Sequence, residues 1–415
     1  MVKRIAMLSV HTSPLATLGG KKTGGMNVYV RDVSRELGQL GVAVDVFTRR
    51  ADPETPMIQP IGTRARLITL PAGPAQFLSS TQIYPLLPDF TTQVLAFAEA
   101  EKLQYDVVFS HYWLSGWVAH ELRTNWRVPV VQMFHTLGRM KNRIAQEVDQ
   151  QEADIRIFTE TDIMSWAEVL IAATPAERAQ LLWLYRADQR KVEIVPPGVD
   201  LARFSVMDPA VAKSEIGILP DRRMLLFVGR LEPLKGVDNI LKAVARLRAR
   251  HPRALDNVCV NVIGGDISAP DTEMMRLKTL RDDLDLRGRV TFLGARDQDV
   301  LQYYYSAAEA LIMPSDYESF GMVALEAMAC GTPVIASEVG GLAFLVEDGV
   351  TGFHVPSREP AALADRIRLL LSQPGRRAQM GQFARETAER YGWPLIAGRL
   401  LDVFERATAV PLPAV

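Results

Sequence analysis

Cysteine is scarce in this chain of 415 residues: Cys259 and Cys330 are the only two, and they lie far apart in apolar surroundings. Neither a disulfide framework nor a Cys/His metal spacing can be built from them, which fits a reducing compartment, and both read as small buried residues. An excess of one charge is also missing. Lys and Arg number 47 against 48 Asp and Glu, for a formal net charge of −1, which argues against a nucleic-acid binder. No apolar run approaches the roughly 20 residues that span a bilayer. The start, "MVKRIAMLSV", carries two basic residues and then an apolar run that is too short for a signal peptide. That run reaches His11 with no small-residue cleavage site, so a cytoplasmic protein without a transmembrane segment is expected.

Two common phosphate signatures are absent as well. No Gly-Lys-Ser/Thr stands immediately before a helical pattern, and no G-x-G-x-x-G follows a strand-like run. The second absence speaks against a nicotinamide-dependent dehydrogenase. An acidic D-x-D pair in a plausible place is lacking too, since "DDLD" at 282–285 lies in a charged helical stretch. No metal site and no required cofactor are therefore expected.

Alternation of short apolar runs with helical patterns fills the chain. "RIAMLSV", "VAVDVF", "DVVFS", "VPVVQMF", "VLIAAT" and "VEIVPP" are strand-like and continuous enough to be buried on both faces. Periodic segments such as Val28–Leu40 and Thr91–Gln104 lie between them. After residue 220 the pattern restarts with "MLLFVG", "VCVNVIGG", "VTFLG", "ALIMP", "PVIAS" and "GFHV". Such alternation predicts parallel sheets covered by helices, and its recurrence predicts an α/β protein of two doubly wound domains with ligands at the strands' carboxyl ends, in a cleft between them. The seam falls at "VPPGVDLARF". The tail "YGWPLIAGRLLDVFERATAV" reads as a helix broken by Pro394.

Three stretches carry candidate chemistry. In "GGKKTGGMNVYV", residues 19–30, Gly24 and Gly25 open a helical pattern whose free N–H groups attract an anion; a flexible turn with solvated Lys21 and Lys22 is the equal alternative. "FVGRLEPLKG" sets Arg230 and Lys235 just past a strand, a planar fork and a point charge suited to a diphosphate, or simply a basic loop. "PSDYESFGMVALEAMACGTPVIAS" separates Glu318 and Glu326 by eight residues, with Phe320 and Gly321 between. With Gly321 opening a helix, Glu318 sits in the loop ahead and Glu326 about two turns in. A carboxylate on so apolar a helix needs a partner, which disfavours a merely solvated role. One acid can then accept hydrogen bonds from a sugar while the other grips a ribose.

"GRLEPLKG", the E-x7-E spacing and the following "GTPVIAS…GG…EDGVTGF" together resemble the retaining glycosyltransferases of family 4, which have the GT-B fold of two Rossmann-like domains facing across a cleft. The likeness covers nearly the whole chain. "GGMNVYV", "HYWLSGW" and "HTLGRMKN" are similar to one subgroup, which holds inositol-phosphate N-acetylglucosaminyltransferases and sucrose and sucrose-phosphate synthases. The resemblance implies an acceptor domain over 1–197, a nucleotide-sugar domain over 198–391 and a helix 392–415 packing back on the first. It implies that Arg230 and Lys235 hold the donor diphosphate, that Glu326 binds the ribose and that Glu318 faces the transferred sugar. Phe320, Gly321 and Met322 complete the donor loop, and Gly24 and Gly25 approach the phosphates. Catalysis would rest on His135, Arg230, Lys235 and Glu318, with His135 orienting or polarising the sugar.

The same likeness implies an acceptor set of Asn27, Tyr112 (in a "HYWLSG" loop), Thr136, Lys141 and Arg156. Arg156 matches an arginine aimed at an acceptor phosphate, and Lys141 a lysine of the sucrose-phosphate synthases. Either could instead be a solvated charge on a helix. Ser79 and Ser80 stand where the inositol-phosphate enzymes carry a lysine, a departure from that pattern. His251 and His354 read as surface or packing residues. The expected reaction moves a hexose from a nucleotide-diphosphate sugar, UDP-hexose being the family's commonest, to a sugar, sugar phosphate or inositol phosphate. Its partners are then small molecules, with no nucleic acid, and homo-oligomerisation stays open. A GT-B nucleotide-sugar epimerase remains the rival enzyme. A solute-binding protein is the rival without catalysis, although it needs no diphosphate cations.

Overall fold

The computed structural model describes residues 1–16, 24–145 and 151–410. The chain divides into two compact units. The first comprises Met1–Ala16, Gly25–Pro196 and the segment from Trp393 onward; the second comprises Gly24 and Pro197–Gly392. Lys21 and Lys22 lie outside the described residues.

In the first unit the strands are β1 (Arg4–Leu8), β2 (Ala43–Arg49), β3 (Ile58–Gly62), β4 (Ala65–Leu70), β5 (Val107–His111), β6 (Val130–Met133), β7 (Val169–Ala172) and β8 (Val192–Ile194). They form one sheet in the order β3-β4-β2-β1-β5-β6-β7-β8. Every pairing is parallel except β3 with β4 at the edge. Strands β1, β2 and β5 are buried along nearly their whole length, as strands covered by helices on both faces are.

Neither β3 nor β4 follows from the apolar runs in the sequence. Strand β3 is a mostly exposed edge carrying Pro60, tolerated there because an edge strand can spare a donor. Strand β4 is interrupted by Arg66, and its partner explains why it still forms. Asp45 on β2 lies in register with Arg66 and is 1% exposed. It accepts from Arg66 Nε at 2.6 Å, Arg4 Nη1 at 2.7 Å and the Tyr105 hydroxyl at 2.9 Å. A charge otherwise too costly to bury is thus satisfied from three sides.

The helix Gly25–Gln39 packs on the final helix, Trp393–Ala409. Pro394 does not break that final helix, as its pattern suggested; it is the second residue, where the missing N–H is needed by no intrahelical partner.

In the second unit β9 (Arg223–Val228), β10 (Val258–Ile263), β11 (Val290–Gly294), β12 (Ala308–Met313), β13 (Val334–Ser337) and β14 (Gly352–Val355) form an all-parallel sheet ordered β11-β10-β9-β12-β13-β14. The order reverses direction at β9 and β12, so the loops after these two strands leave a switch point, where doubly wound sheets take ligands. Cys330 is buried, whereas Cys259 on β10 is only half-buried. No described helix is long and apolar enough to cross a membrane.

Asp45→Asn should lower the first unit's stability by about 1–3 kcal/mol, because Arg4 and Arg66 lose their shared counter-charge while keeping some access to water. Urea denaturation of the variant checks this; an unchanged midpoint would show that the cluster contributes nothing.

Candidate active site

Two groups of polar residues gather at the carboxyl ends of strands, one in each unit. In the second unit, β9 runs into Gly229 and Arg230, then a single turn over Pro233–Lys235. Gly236 (φ 66°) ends that turn and caps the helix Val237–Arg250; a Cβ there would sit 2.2 Å from the Pro314 carbonyl oxygen, so only glycine fits. The loop after β12 is tied to the same turn by Asp316 N–H donating to the Leu234 carbonyl at 2.8 Å. This juxtaposition brings Lys235 Nζ to 2.5 Å from Glu318 Oε2. Arg230 pairs through Nη1 with Glu232 Oε1 at 2.5 Å in a more exposed setting. Gly24 lies beside Arg230: a Cβ on it would be 3.9 Å from Arg230 Nε.

The Glu318 loop is seated by Gly340 and Gly341. Gly341 N–H donates to the Glu318 carbonyl at 2.8 Å, and a Cβ on Gly340 (φ 48°) would lie 2.0 Å from that oxygen. Phe320 is buried, with its ring centroid 5.9 Å from that of Tyr391. Gly321 (φ 102°) caps the helix Met322–Ala329. Glu326 is the fifth residue of this helix, a little over one turn in and not two, because the helix starts only at Met322. It is 6% exposed. Tyr305 donates to Glu326 Oε2 at 2.7 Å, and Gln298 Nε2 donates to Oε1 at 3.1 Å; Arg203 Nη1 holds Gln298 Oε1 at 3.0 Å. Sequence reasoning required a partner for Glu326 without finding these. The run "QYYYSAAEA" is the one hint, since a tyrosine among buried apolar residues needs an acceptor.

In the first unit, β5 passes directly into the helix Tyr112–Trp126. "HYWLSG" is thus a strand-to-helix junction and not a loop, turned by Tyr112 at φ 74°. His135, just past β6, also adopts a left-handed backbone, φ 61°. Such conformations cost on the order of 1–3 kcal/mol each for a residue bearing a Cβ and persist only where surrounding packing enforces them. The two junctions bring His111 Nδ1 and His135 Nε2 to 3.0 Å. Tyr29, from the helix Gly25–Gln39, packs edge-on against both rings, at 5.5 and 5.2 Å between centroids. Burial pushes the His135 pKa down to about 3; burial, and then the neighbouring His135, push that of His111 well below its usual value. Both imidazoles are neutral at pH 7, so His135 can donate or accept a hydrogen bond but brings no charge.

Next to this pair stands a buried ion network. Arg156 is 1% exposed, so it is no solvated helix charge. Its Nε donates to Glu160 Oε1 at 2.7 Å, and its Nη2 donates to the Thr136 carbonyl at 2.8 Å and hydroxyl at 3.0 Å. Its Nη1 reaches the Tyr112 hydroxyl at 3.1 Å and Glu152 Oε1 at 3.0 Å. Lys141 Nζ donates to the same Glu152 oxygen at 2.7 Å. Burial alone would lower the Arg156 pKa, but Tyr112, Glu160 and Glu152 outweigh it and the net shift is upward. Four expected acceptor residues, Tyr112, Thr136, Lys141 and Arg156, therefore converge, directly or through Glu152. Neither Glu152 nor Glu160 was singled out from the sequence, although "QEADIRIFTE" places Glu160 one helical turn after Arg156 and Glu152 four residues before it, ahead of the helix.

Asn27 is placed differently. It is buried on the helix Gly25–Gln39 and donates to the Thr12 hydroxyl and the Ser13 carbonyl, both at 2.7 Å. Ser79 caps the short helix Ser80–Ile83, a structural task for one of the serines standing where a lysine was expected. Arg49, buried beneath that segment, donates to the carbonyls of Pro74 at 2.8 Å and Gln76 at 2.5 Å. "DDLD" carries Asp282 in pairs with Arg281 and Arg287, and Asp285 in a pair with Arg248. Among the described residues no group of three or more His, Cys, Asp or Glu is arranged to hold a metal ion.

Two doubly wound sheets in one chain are the architecture of the GT-B fold, and comparison with known proteins supplies the family. Residues 24–198 match the family described as glycosyl transferase 4-like domain, and residues 211–387 match glycosyl transferases group 1. The chain is 41% identical over 406 residues to D-inositol 3-phosphate glycosyltransferase 2 of Catenulispora acidiphila, covering 98% of this chain and 95% of that one. It is 39% identical to the D-inositol 3-phosphate glycosyltransferase of Corynebacterium jeikeium, over 97% of this chain and 96% of that one. The solved structure of sucrose-phosphate synthase from Thermosynechococcus elongatus superposes with a TM-score of 0.90 at 34% identity, covering 98% and 99% of the two chains. Anabaena HepE in complex with UDP and glucose shares the fold, with a TM-score of 0.76 at 19% identity over 97% of this chain and all of that one. The chain belongs to the group 1 glycosyltransferases and is a transferase enzyme.

Two outcomes are expected. Tyr305→Phe leaves Glu326 one donor short and should cost the second unit about 1–3 kcal/mol, read by urea denaturation. The histidine pair stays neutral in the folded protein while its unfolded pKa is near 6.5. The contribution of His135 to stability is therefore complete above about pH 6.5 and is lost as the pH falls toward about 3, and that of His111 is lost in the same direction. NMR titration of the imidazoles should show neither ring protonating between pH 5 and 8; a midpoint in that range for either would contradict the assignment.

Proposed function

We propose that the protein transfers a hexosyl group from a UDP-sugar to a small phosphorylated acceptor, with retention at the anomeric carbon. The Lys235–Glu318 pair carries the donor half of the reading. A lysine and a carboxylate share one point at a topological switch point, ahead of a helix N-terminus and with Arg230 nearby. A diphosphate entering there would take Lys235 and Arg230, with free helix N–H groups supplying further donors. Glu318 would turn to the hydroxyls of the sugar and Glu326 to the ribose. Residues 198–391 would form the donor domain; residues 1–197 with 392–415 would form the acceptor domain.

The chemistry proposed is attack on the face the diphosphate leaves. The C1–oxygen bond to the diphosphate breaks as the acceptor oxygen bonds to C1, and the departing phosphate oxygen takes the acceptor's proton. Arg230 and Lys235 stabilise the negative charge that develops. His135, held neutral, orients the sugar through a hydrogen bond instead of acting as general base. The convergence of Arg156, Lys141, Tyr112 and Thr136 favours a phosphate on the acceptor, and the names of the 39–41% identical relatives favour inositol 3-phosphate. Fructose 6-phosphate is the second reading, favoured by the likeness to sucrose-phosphate synthase. The epimerase reading has no observation in its favour. Two unbridged cysteines fit a cytoplasmic enzyme.

A screen crossing UDP-, ADP- and GDP-hexoses with inositol 3-phosphate, fructose and fructose 6-phosphate, read by nucleotide release, tests the reading. Release should require both a UDP-sugar and a phosphorylated acceptor. Lys235→Ala should lower kcat about 100-fold or more with an unchanged melting temperature; near-normal turnover would remove the diphosphate assignment.

A further inference from the structure

Arg156 is flanked by two carboxylates that are held in different ways. Glu160 is fully buried, and all its partners are fixed parts of the fold: Arg156 Nε at 2.7 Å, the Gly138 N–H at 3.0 Å and the Tyr185 hydroxyl. With Glu160, the Thr136 oxygens and the Tyr112 hydroxyl around it, the guanidinium is well satisfied without a second acid. Glu152 lies instead in the non-helical segment before the helix Asp154–Trp166, its side chain 24% exposed. Its hydrogen bonds to the two cations go through one oxygen, Oε1, which takes Lys141 Nζ at 2.7 Å and Arg156 Nη1 at 3.0 Å. Its backbone is tethered separately, the Glu152 N–H donating to Asn142 Oδ1 at 2.7 Å.

That oxygen sits where two cations meet, one of them also in contact with the Tyr112 hydroxyl, which is the arrangement a phosphate oxygen would seek. We propose that Glu152 is an internal anion filling the acceptor's phosphate position, displaced when a phosphorylated acceptor binds, and that it sets the preference for phosphorylated over uncharged acceptors. The proposal rests on the acceptor reading of the first unit. The exchange leaves no cation unpaired in either state, because phosphate takes over Lys141 and Arg156 as Glu152 swings to water. A phosphate monoester carries roughly −1.5 to −2 charge at pH 7 and three acceptor oxygens, and so outcompetes one carboxylate oxygen. A neutral polyol offers no such exchange and would leave Glu152 in place. Arg156 and Lys141 hold the Glu152 carboxyl below its ordinary range despite the opposing effect of burial, so it is ionised and competes throughout the neutral range.

Calorimetric titration of the full chain with D-inositol 3-phosphate, inorganic phosphate and myo-inositol tests this without turnover. In E152Q, affinity for both phosphate compounds should rise roughly tenfold, about 1.4 kcal/mol, while that for myo-inositol stays the same; E152A should behave likewise. Unchanged or weaker phosphate binding in E152Q would overturn the proposal, as would equal gains for myo-inositol. Unfolding of E152Q and E152A would overturn it too, since Glu152 would then be an essential structural partner of Arg156. Absence of phosphate binding in every form would also sink it. Nucleotide release with an uncharged acceptor would, in that event, leave the transferase reading standing.

Discussion

A parallel strand buried on both faces has almost no place for a charge along its length, and this constraint organises the molecule. Chemistry-bearing residues are driven to the strand ends, where the backbone turns toward a helix N-terminus. His111 ends β5 and Tyr112 follows it, His135 and Thr136 follow β6, Arg230 and Lys235 follow β9, and Glu318 follows β12. Where a charge does sit within a strand it is held: Asp45, within β2, is accommodated by three donors, two of them from neighbouring strands.

Charges crowded at strand ends must still be satisfied in the free protein. Lys235 rests on Glu318, Arg230 on Glu232, and Arg156 and Lys141 on Glu152. Under the proposed function, ligand binding would be an exchange of partners instead of the filling of an empty electropositive pocket. It avoids leaving a cation buried and unpaired, which would cost several kcal/mol, and it spares the protein the repulsion of clustered like charges. On that proposal, specificity would depend on which internal anions a ligand can replace, and Glu160, fully buried and bound on both oxygens, is not one of them.

Much of the fold is legible in the sequence because buried parallel strands leave continuous apolar runs; the six runs of the second half all appear as strands. Strand β4 escaped because Arg66 interrupts its run, and the remedy, Asp45, lies on another strand some twenty residues away. Pro394 was read as a breaker since its position within the first helical turn depends on where the helix starts. In the site, Lys235 and Glu318 were legible one by one, but their contact depends on Gly236 and Gly340 admitting neighbouring carbonyls. The partners of Glu326, Tyr305 and Gln298, come from a distant helix. The left-handed turns at Tyr112 and His135, which create the histidine pair, have no signal in residue type at all, since glycine would be the expected choice at such angles.

The central claim, that strand-end cations of the second unit change partner on binding the donor, is tested most directly by a crystal structure of the protein with UDP bound. The account predicts the diphosphate within hydrogen-bonding distance of Lys235 Nζ and Arg230, with Lys235 released from Glu318 and the ribose against Glu326. UDP bound elsewhere, or bound with the Lys235–Glu318 pair intact, would contradict it.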